Sequence, residues 1–429
     1  MEHFFHMRRL RVLLLAEQCN PDWPSLPVVG YKAAKAIAEV ADVTLVTHIR
    51  NKPAITREGA GKAQVTYLDN EYIARPMYRL SRLFRGGDEV AWTTNIAMAY
   101  LPYVIFERLA WKAFGARLRA KEFDVVHRLT PMSPTLPSPL AGRSPVPFVL
   151  GPLNGGLKWP KEFVAELRRE REWMTYLRSF YRVLPYARST YARASAVLAA
   201  FPHTVADVPR AAQARTIELA EVGIDPELFH SGHGMRPGPT TFLFVGRLVP
   251  YKCADIAIEA FAGSEILRHC RMRVVGDGPE LASLVGIVAR HRAENRVEFL
   301  GRISQDEVGK TMREAHVFAF PSIRELGAGV VVEAMACGLC CLVVDYGAPG
   351  RLVDASRGVK VPLAEKSVLV RQMRKQMEQL ANDRVRIAIL GAEARRYVLA
   401  EYSWAAKAAK TLEVYRWVTG QRSDKPIFA

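Results

Sequence analysis

Short runs of consecutive apolar residues recur along the chain and alternate with segments of helical periodicity. Runs of this kind are typical of strands that are buried on both faces of a parallel sheet. The alternation with helical patterns predicts crossover connections between such strands. The predicted strands are 11–17, 42–48, 124–129, 147–151, 195–201, 241–247, 271–278, 296–302, 315–322 and 340–347. The predicted helices include 28–40, 253–262, 304–313, 330–336 and 404–420.

This series of strands and helices occurs twice, and 429 residues are too many for one ordinary hydrophobic core. We therefore predict an α/β protein with two Rossmann-like doubly wound domains that face a central cleft. Residues 1–210 form the first domain and 211–403 the second, while the final helix, 404–420, is expected to pack back on the first. Ligands bind beyond the carboxyl ends of the strands in open sheets of this type. Polar residues directly after the strands are therefore the candidates for function.

The composition, 49% hydrophobic and 24% charged, is that of an ordered globular protein. The first apolar run lacks a small-residue cleavage site, so no signal peptide is expected. No run approaches the ~20 apolar residues of a membrane-spanning helix. The six cysteines are scattered and most lie within apolar runs, which is typical of buried thiols in a reducing compartment. These features predict a cytoplasmic protein.

The positive charge of the chain is concentrated in its first half. The net charge is +17, and residues 1–210 contain 30 Lys and Arg against 18 Asp and Glu. Residues 173–202 contain no acid, and arginines alternate there with aromatic residues. This pattern predicts an anionic partner, which could be a lipid surface, a nucleic acid or a phosphorylated substrate. The alternative is a solvated helix face whose aromatic residues lie in the core. The residues concerned are Arg178, Arg182, Arg188, Arg193, Trp173, Tyr176, Phe180, Tyr181, Tyr186 and Tyr191.

Two cations follow the predicted strand 241–247 within the sequence GRLVPYK. Arg247 and Lys252 would lie at the carboxyl edge of the sheet, where a diphosphate could bind. Arginine can contact phosphate oxygens through two parallel hydrogen bonds, and lysine supplies a point charge. The alternative is a pair of solvated loop cations.

The stretch RELGAGVVVEAMACGLCC, residues 324–341, follows another predicted strand. Glu325 lies in a loop, and the small residues Gly327, Ala328 and Gly329 allow a ligand to approach the backbone. The amides that begin the next helix would face an anion. Glu333, about one turn into that helix, is placed to accept hydrogen bonds from vicinal hydroxyls. A hydrolytic pair of carboxyl groups is the alternative interpretation of the two glutamates.

Two further motifs favour structural roles. Cys337 and Cys340 form a Cys-x-x-Cys, but they span a helix end and the next strand, whereas redox pairs lie at helix N-termini. No second pair of ligands completes a zinc site. Residues 276–279, GDGP, lack the full dinucleotide fingerprint and predict a tight turn that opens a helix.

The ordered series of GRLVPYK, GDGP, the PS-x-x-E that ends at Glu325, and the E-x7-E of Glu325 and Glu333 resembles the donor-binding half of the family 4 glycosyltransferases. These are retaining enzymes of group 1 with the two-domain GT-B fold. Gly223-Ile224-Asp225 with Phe229 also matches a segment of the family. The resemblance is specific over about residues 220–362 and general before them.

The resemblance implies a role for each matched residue. Arg247 and Lys252 would bind the donor diphosphate, Glu325 hydroxyls of the transferred sugar, and Glu333 the ribose. The base would meet the backbone of Gly301, Arg302 and Ile303, and the small-residue loop of Gly327, Ala328 and Gly329 would approach the donor. His127 matches a histidine that the family often uses at this strand; a packed histidine is the alternative.

The family also implies the substrates. A UDP- or GDP-activated sugar would be transferred, without a metal ion, to a glycan or lipid-linked acceptor in bacterial polysaccharide or glycolipid biosynthesis. The basic first domain would then contact an anionic membrane at its inner face, and no nucleic-acid partner is expected. The alternatives are a sugar-nucleotide epimerase or a phosphorylase on the same fold, or a basic nucleic-acid-binding protein.

Three positions depart from the family. Ala328 stands where the family usually has glycine, and Cys340 where it has proline. The glycine-glycine loop of the first domain corresponds here to NPDWPSLPVVG, which contains only Gly30.

Overall fold

The computed structural model describes residues 8–85, 92–169, 183–232 and 238–428. The chain divides into two compact units. The first unit comprises Met1–Gly156, Arg171–Glu221 and Trp404–Ala429, and the second comprises Leu157–Glu170 and Val222–Ser403. The sequence predicts the main division after residue 210, and in the structure the chain enters the second unit after Glu221.

The strands of the two units form two parallel sheets. The strands are β1 (Arg11–Ala16), β2 (Asp42–His48), β3 (Gln64–Leu68), β4 (Val125–Thr130), β5 (Phe148–Leu153), β6 (Ala196–Ala199), β7 (Thr216–Glu218), β8 (Thr241–Val245), β9 (Arg271–Val275), β10 (Val297–Gly301), β11 (Val317–Phe320), β12 (Cys340–Val344) and β13 (Gly358–Val361). The order in the first unit is β3-β2-β1-β4-β5-β6-β7, and in the second unit β10-β9-β8-β11-β12-β13. The central strands β4, β5, β8, β11 and β12 are buried along their whole length because helices cover both faces of each sheet. They are mostly apolar, although β4 also carries the buried His127 and Arg128.

The helices connect successive strands and pack on the sheets. They are α1 (Leu26–Val40), α2 (Lys52–Glu58), α3 (Glu71–Arg85), α4 (Trp92–Arg119), α5 (Val164–Arg169), α6 (Ala187–Arg193), α7 (Pro202–Asp207), α8 (Arg210–Gln213), α9 (Ala254–Ala262), α10 (Leu281–Arg290), α11 (Gln305–Glu314), α12 (Gly329–Ala336), α13 (Gly347–Leu352), α14 (Lys366–Ala381), α15 (Arg384–Tyr402) and α16 (Trp404–Val418). The final helix, α16, packs on α1 within the first unit, where Val414 and Tyr415 join the core. In the described part of the chain, no helix combines the length and the hydropathy that crossing a membrane requires.

The basic, aromatic segment 173–202 is described only from residue 183 onward. Trp173, Tyr176, Arg178, Phe180, Tyr181 and Arg182 lie outside the described residues. Arg188 and Arg193 are exposed on α6, whereas Tyr191 is buried and its hydroxyl donates a hydrogen bond to the carbonyl of Pro134 at 2.9 Å. The aromatic residue and the two arginines of α6 therefore occupy opposite environments, core and solvent.

Candidate functional site

The second sheet reverses its strand order beside β8. From this first strand of the unit, β9 and β10 follow on one side, and β11, β12 and β13 on the other. A crevice forms beyond the carboxyl ends of the strands at such a switch point, and open α/β sheets bind their ligands there. The segment after β8 carries Arg247 and Lys252, and the segment after β11 carries Glu325. The fold thus brings together residues that are more than seventy positions apart in sequence.

Lys252 and Glu325 form an ion pair at this switch point. The Nζ of Lys252 donates to Oε1 of Glu325, and the two side chains are only 14% and 11% exposed. The Oγ of Ser322 donates to the same carboxylate oxygen at 3.0 Å. An ion pair shielded from water is screened far less than one on the surface. The ammonium of Lys252 is therefore held in a fixed position at the sheet edge.

Tyr251, which lies between Arg247 and Lys252 in the sequence, contacts both of these side chains. The Nη2 of Arg247 donates to the hydroxyl of Tyr251 at 2.7 Å. The Nζ of Lys252 lies 5.6 Å from the centre of the same ring and 5.2 Å from that of Phe320. The carbonyl of Tyr251 accepts a hydrogen bond from the amide of Ile323 at 3.0 Å, which ties the two loops together. Arg247 is exposed, so its guanidinium remains accessible to a ligand.

The GDGP turn supports the loop that carries Arg247. Gly276 has φ +137°, and a Cβ atom at this position would lie 1.9 Å from the carbonyl oxygen of Gly246. A Cβ atom at Gly278 would lie 2.4 Å from the carbonyl oxygen of Leu248. The amide of Leu248 in turn donates to the carbonyl of Asp277 at 2.9 Å. The glycines are thus required for close packing of two backbone segments.

This packing gives a stability prediction. We expect Gly276→Ala to lower the free energy of unfolding by roughly 1–3 kcal/mol, because the methyl group overlaps a backbone carbonyl that cannot rotate away. Gly286 is the matched control, since it lies inside α10 with open space around its Cα. Gly286→Ala should stabilise the protein slightly through higher helix propensity. Urea denaturation of both variants measures the difference, and equal midpoints would contradict the packing argument.

The predicted base-binding segment lies two strands away from β8. Gly301 ends β10 with φ +63°, and its carbonyl accepts a hydrogen bond from the amide of Gly276 at 2.8 Å. Arg302 is exposed and Ile303 half-buried. The three loops after β8, β9 and β10 are consequently joined by backbone hydrogen bonds along one edge of the sheet.

The small-residue loop leads into α12 through a left-handed residue. Ala328 has φ +50° and ψ +43° and is the N-cap of α12, which begins at Gly329. Glycine adopts this conformation without strain, whereas an L-residue with a Cβ does so at a cost. The left-handed backbone at position 328 explains why glycine suits this position. Ala328 adopts the same conformation with a Cβ atom, at a cost in conformational free energy. Glu333 follows on α12 with its side chain half-buried.

A segment predicted to lie in the first domain contributes to this site. Residues 157–169 belong to the second unit, where the hydroxyl of Tyr346 donates to the carbonyl of Lys158 at 2.7 Å. The indole of Trp159 meets the ring of Tyr251 edge to face at 6.4 Å between centroids. The guanidinium of Arg324 lies 4.9 Å from the indole centre. Trp159 thus packs against Tyr251 with Arg324 on its indole ring, and neither residue had a predicted role.

His127 lies in the core of the first unit, on β4. Its Nε2 lies 2.6 Å from the carbonyl oxygen of Gly151, and its Nδ1 lies 2.5 Å from the hydroxyl of Tyr415. A carbonyl oxygen can only accept, so Nε2 carries the proton and Nδ1 accepts from Tyr415. Burial lowers the pKa of His127 to about 4, and the histidine is neutral at physiological pH. These contacts join β4, β5 and α16, while the catalytic role suggested by the family resemblance stays a prediction.

The cysteines are buried thiols. All six are free and buried. Burial raises the pKa of Cys340 to about 12 and that of Cys341 well above its usual value. The thiols of Cys340 and Cys341 therefore stay protonated near neutral pH. This agrees with the structural interpretation of the Cys-x-x-Cys.

The family comparison concerns the part of the chain that contains this site. Residues 226–388 match the family described as glycosyl transferases, group 1. The match concerns this segment of the second unit, which is less than half of the chain. The matched range includes Arg247, Lys252, Glu325 and Glu333.

Two curated relatives have names that refer to inositol 3-phosphate and to a phosphatidylinositol monomannoside. The D-inositol 3-phosphate glycosyltransferase of Rhodococcus opacus is 32% identical over 206 residues, 43% of this chain and 43% of the relative. The GDP-mannose-dependent monoacylated alpha-(1-6)-phosphatidylinositol monomannoside mannosyltransferase of Corynebacterium glutamicum is 30% identical over 167 residues, 37% of this chain and 42% of the relative. The chain therefore spans less than half the length of these curated relatives.

The fold extends over both units. Anabaena HepE, solved in complex with UDP and glucose, superimposes with a TM-score of 0.58 over 94% of this chain and 99% of that chain, at 17% identity. At this identity the match concerns the fold alone. Together with the two parallel sheets, it confirms the predicted two-domain α/β fold of the GT-B class.

Proposed function

We propose that the protein transfers a sugar from a nucleotide-sugar donor to a glycan or lipid-linked acceptor, with retention of configuration at the anomeric carbon. The observation that carries this proposal is the Lys252–Glu325 ion pair at the switch point of the second sheet, within the segment that matches the group 1 glycosyl transferases. A fixed cation at this edge suits a diphosphate, and a carboxylate beside it suits the hydroxyls of the attached sugar.

In this proposal the cations act on the leaving group. The bond between the anomeric carbon and the diphosphate oxygen breaks, and its electron pair stays on the diphosphate. The acceptor hydroxyl attacks from the same face of the sugar and gives its proton to the departing diphosphate. Arg247 and Lys252 would stabilise the negative charge that develops there, which is the largest electrostatic demand of the reaction.

The remaining predicted residues would bind the donor. Glu325 would accept hydrogen bonds from the transferred sugar and Glu333 from the ribose. The base would lie along the segment of Gly301, Arg302 and Ile303, and the loop of Gly327, Ala328 and Gly329 would allow close approach of the donor to the backbone. A UDP-sugar is the first candidate because HepE binds UDP and glucose, and GDP-mannose is the second because the mannosyltransferase relative uses it by name.

Acceptor-dependent release of free nucleoside diphosphate tests this function. The protein is incubated with each UDP- and GDP-sugar, with and without a lipid extract or glycan acceptors, in buffer that contains EDTA. Release that depends on the acceptor and survives EDTA supports transfer without a metal ion. Conversion of the donor without an acceptor would indicate an epimerase, and consumption of inorganic phosphate would indicate a phosphorylase.

We also propose that the basic first unit docks on an anionic membrane, at the inner face of the cell membrane. The excess of Lys and Arg in residues 1–210 and the exposed Arg188 and Arg193 support this proposal. The glycolipid acceptor named for the Corynebacterium relative also supports it.

Vesicle co-sedimentation tests whether the protein docks on an anionic membrane. The protein should bind phosphatidylglycerol-containing vesicles at low salt and leave them at 1 M salt, where the screening length falls to about 3 Å. Vesicles of pure phosphatidylcholine are the control and should not bind. Absence of binding to the anionic vesicles at low salt would contradict the docking proposal.

A further inference from the structure

The segment 157–169 packs on the loops of the candidate site. It lies in sequence between two parts of the first unit but belongs to the second. Its helix α5 contacts the turn Pro250–Lys252 that follows β8. Leu157 and Phe163 are 4% and 1% exposed, so buried apolar side chains anchor the segment on both sides of Trp159. Protein interiors are close-packed, and a residue between two such anchors has little freedom to move.

The same segment contacts the loop that follows β12. A Cβ atom at Gly347 would lie only 3.0 Å from the Cδ2 of Leu157, so Leu157 packs directly on this glycine. The next amide, that of Ala348, donates to the carbonyl of Glu325 at 3.0 Å. The segment therefore supports the loop of Glu325 as well as the turn that bears Lys252.

Trp159 contacts one side chain from each of the two loops that carry the predicted donor-binding residues. Its indole meets the ring of Tyr251 at 87°, with 6.4 Å between the centroids, and the guanidinium of Arg324 lies 4.9 Å from the indole centre. Both contacts are favourable because the face of an aromatic ring carries negative charge. An aromatic pair of this kind contributes about a two- to tenfold factor to an equilibrium constant. Trp159 therefore limits the orientations that are open to the ring of Tyr251.

Tyr251 passes this limit on to Arg247. Its hydroxyl accepts a hydrogen bond from the Nη2 of Arg247 at 2.7 Å, and its carbonyl accepts one from the amide of Ile323 at 3.0 Å. The backbone of Tyr251 is thus held, and the orientation of the ring decides where the hydroxyl lies. An arginine side chain has a large rotamer entropy, part of which is lost when a ligand orders it. A guanidinium that Tyr251 already holds loses less of this entropy on binding.

We propose that Trp159 is a positioning residue, which holds the ring of Tyr251 so that its hydroxyl orients the guanidinium of Arg247 toward the diphosphate of the donor. The inference rests on the function proposed above, because that function supplies the diphosphate. In this arrangement Trp159 acts through Arg247 and contributes nothing to binding once the guanidinium is removed. That dependence separates positioning from two other roles, which are direct stacking of Trp159 on the nucleotide base and general support of the fold.

Isothermal titration of the full chain with UDP and GDP tests the inference. Trp159→Leu keeps an apolar side chain but loses the aromatic contact, and it should weaken binding of the nucleotide that the wild type binds by about three- to tenfold. Trp159→Phe should restore most of the affinity, because a phenyl ring can make the same edge-to-face contact. When Trp159→Leu is added to Arg247→Ala, the affinity should change by less than about twofold.

Tyr251→Phe tests the second link of this chain of contacts. The variant keeps the ring and removes only the hydroxyl, so it should weaken nucleotide binding by a similar factor in the wild type. Added to Arg247→Ala, it should leave the affinity unchanged, because the guanidinium that the hydroxyl holds is already absent.

The control is a similar group of side chains elsewhere in the second unit. The ring of Tyr397, on α15, lies 3.9 Å from the guanidinium of Arg357 and 5.8 Å from the ring of Tyr402. Tyr397→Leu removes the same kinds of contact away from the candidate site, and it should bind the nucleotide like the wild type. Circular dichroism should show the wild-type fold for each variant.

Unchanged affinity in a folded Trp159→Leu or Tyr251→Phe variant would overturn the inference. Loss by the same factor in the wild type and in Arg247→Ala would also overturn it, because Trp159 would then act on the nucleotide or the fold directly. If the wild type binds neither UDP nor GDP, the proposed function fails and the inference fails with it. Failure of the inference alone is recognised because the wild type then still binds a nucleotide.

Discussion

Replacing Lys252 with alanine is expected to lower kcat for sugar transfer by about 10²–10³-fold, the usual cost of removing one group that stabilises transition-state charge. The Lys252 side chain is 14% exposed and its ammonium is paired with Glu325, so water cannot readily take its place beside the leaving diphosphate. Initial rates at saturating donor and acceptor measure the effect. Circular dichroism of the variant should show the wild-type fold.

The control for this variant is an ion pair of the same unit that lies on an outer helix. Arg290→Ala removes a cation whose Nη2 lies 3.3 Å from Glu259, and the side chain of Arg290 is 65% exposed. Exposed ion pairs of this kind contribute little to the free energy of unfolding. Both the activity and the stability of Arg290→Ala should therefore stay near those of the wild type. A folded Lys252→Ala variant with full activity would reject the role of this residue in the reaction.

Replacing Glu333 with alanine is expected to weaken donor binding roughly 10- to 150-fold, the range that corresponds to hydrogen bonds with a charged group. The effect should appear in the donor KM more than in kcat, because the ribose keeps its contacts through the reaction. Isothermal titration with UDP or GDP measures the binding directly. Glu294→Ala, an exposed glutamate in the same unit, should bind the nucleotide like the wild type.

A ribose analogue makes the assignment of Glu333 specific. A 2′,3′-dideoxynucleotide lacks both hydroxyls, so the wild type and Glu333→Ala should bind it with similar affinity. If the variant loses the same factor for the dideoxynucleotide as for the natural one, the contact of Glu333 with the ribose hydroxyls is rejected.

The sequence predicted the strands that lie inside the sheets and missed three at their margins. β3, β7 and β13 are edge strands, and β3 is half-buried with polar residues between its apolar ones. An edge strand is covered on fewer sides, so its apolar signal is weak. The buried central strands carried the pattern on which the fold class and the candidate loops depended.

The site was predictable in part for the same reason. Arg247, Lys252 and Glu325 follow buried strands directly, and the topology of a doubly wound sheet brings such positions together. The contacts that support these residues were not predictable. Trp159 contacts Tyr251 from a segment, Leu157–Glu170, that belongs to the second unit although it lies in sequence between two parts of the first. A contact of this kind depends on tertiary structure and leaves no periodic signal in the sequence.

The central claim is that the second unit binds a nucleotide-sugar donor through the cations at the carboxyl edge of its sheet. A thermal-shift panel of UDP-, GDP-, ADP- and dTDP-sugars on the wild type and Lys252→Ala tests it most directly. One donor at about 100 times its dissociation constant should add roughly 2.7 kcal/mol to the free energy of unfolding of the wild type. The same concentration should stabilise Lys252→Ala much less. No shift of the wild type with any of the four donors would contradict the claim.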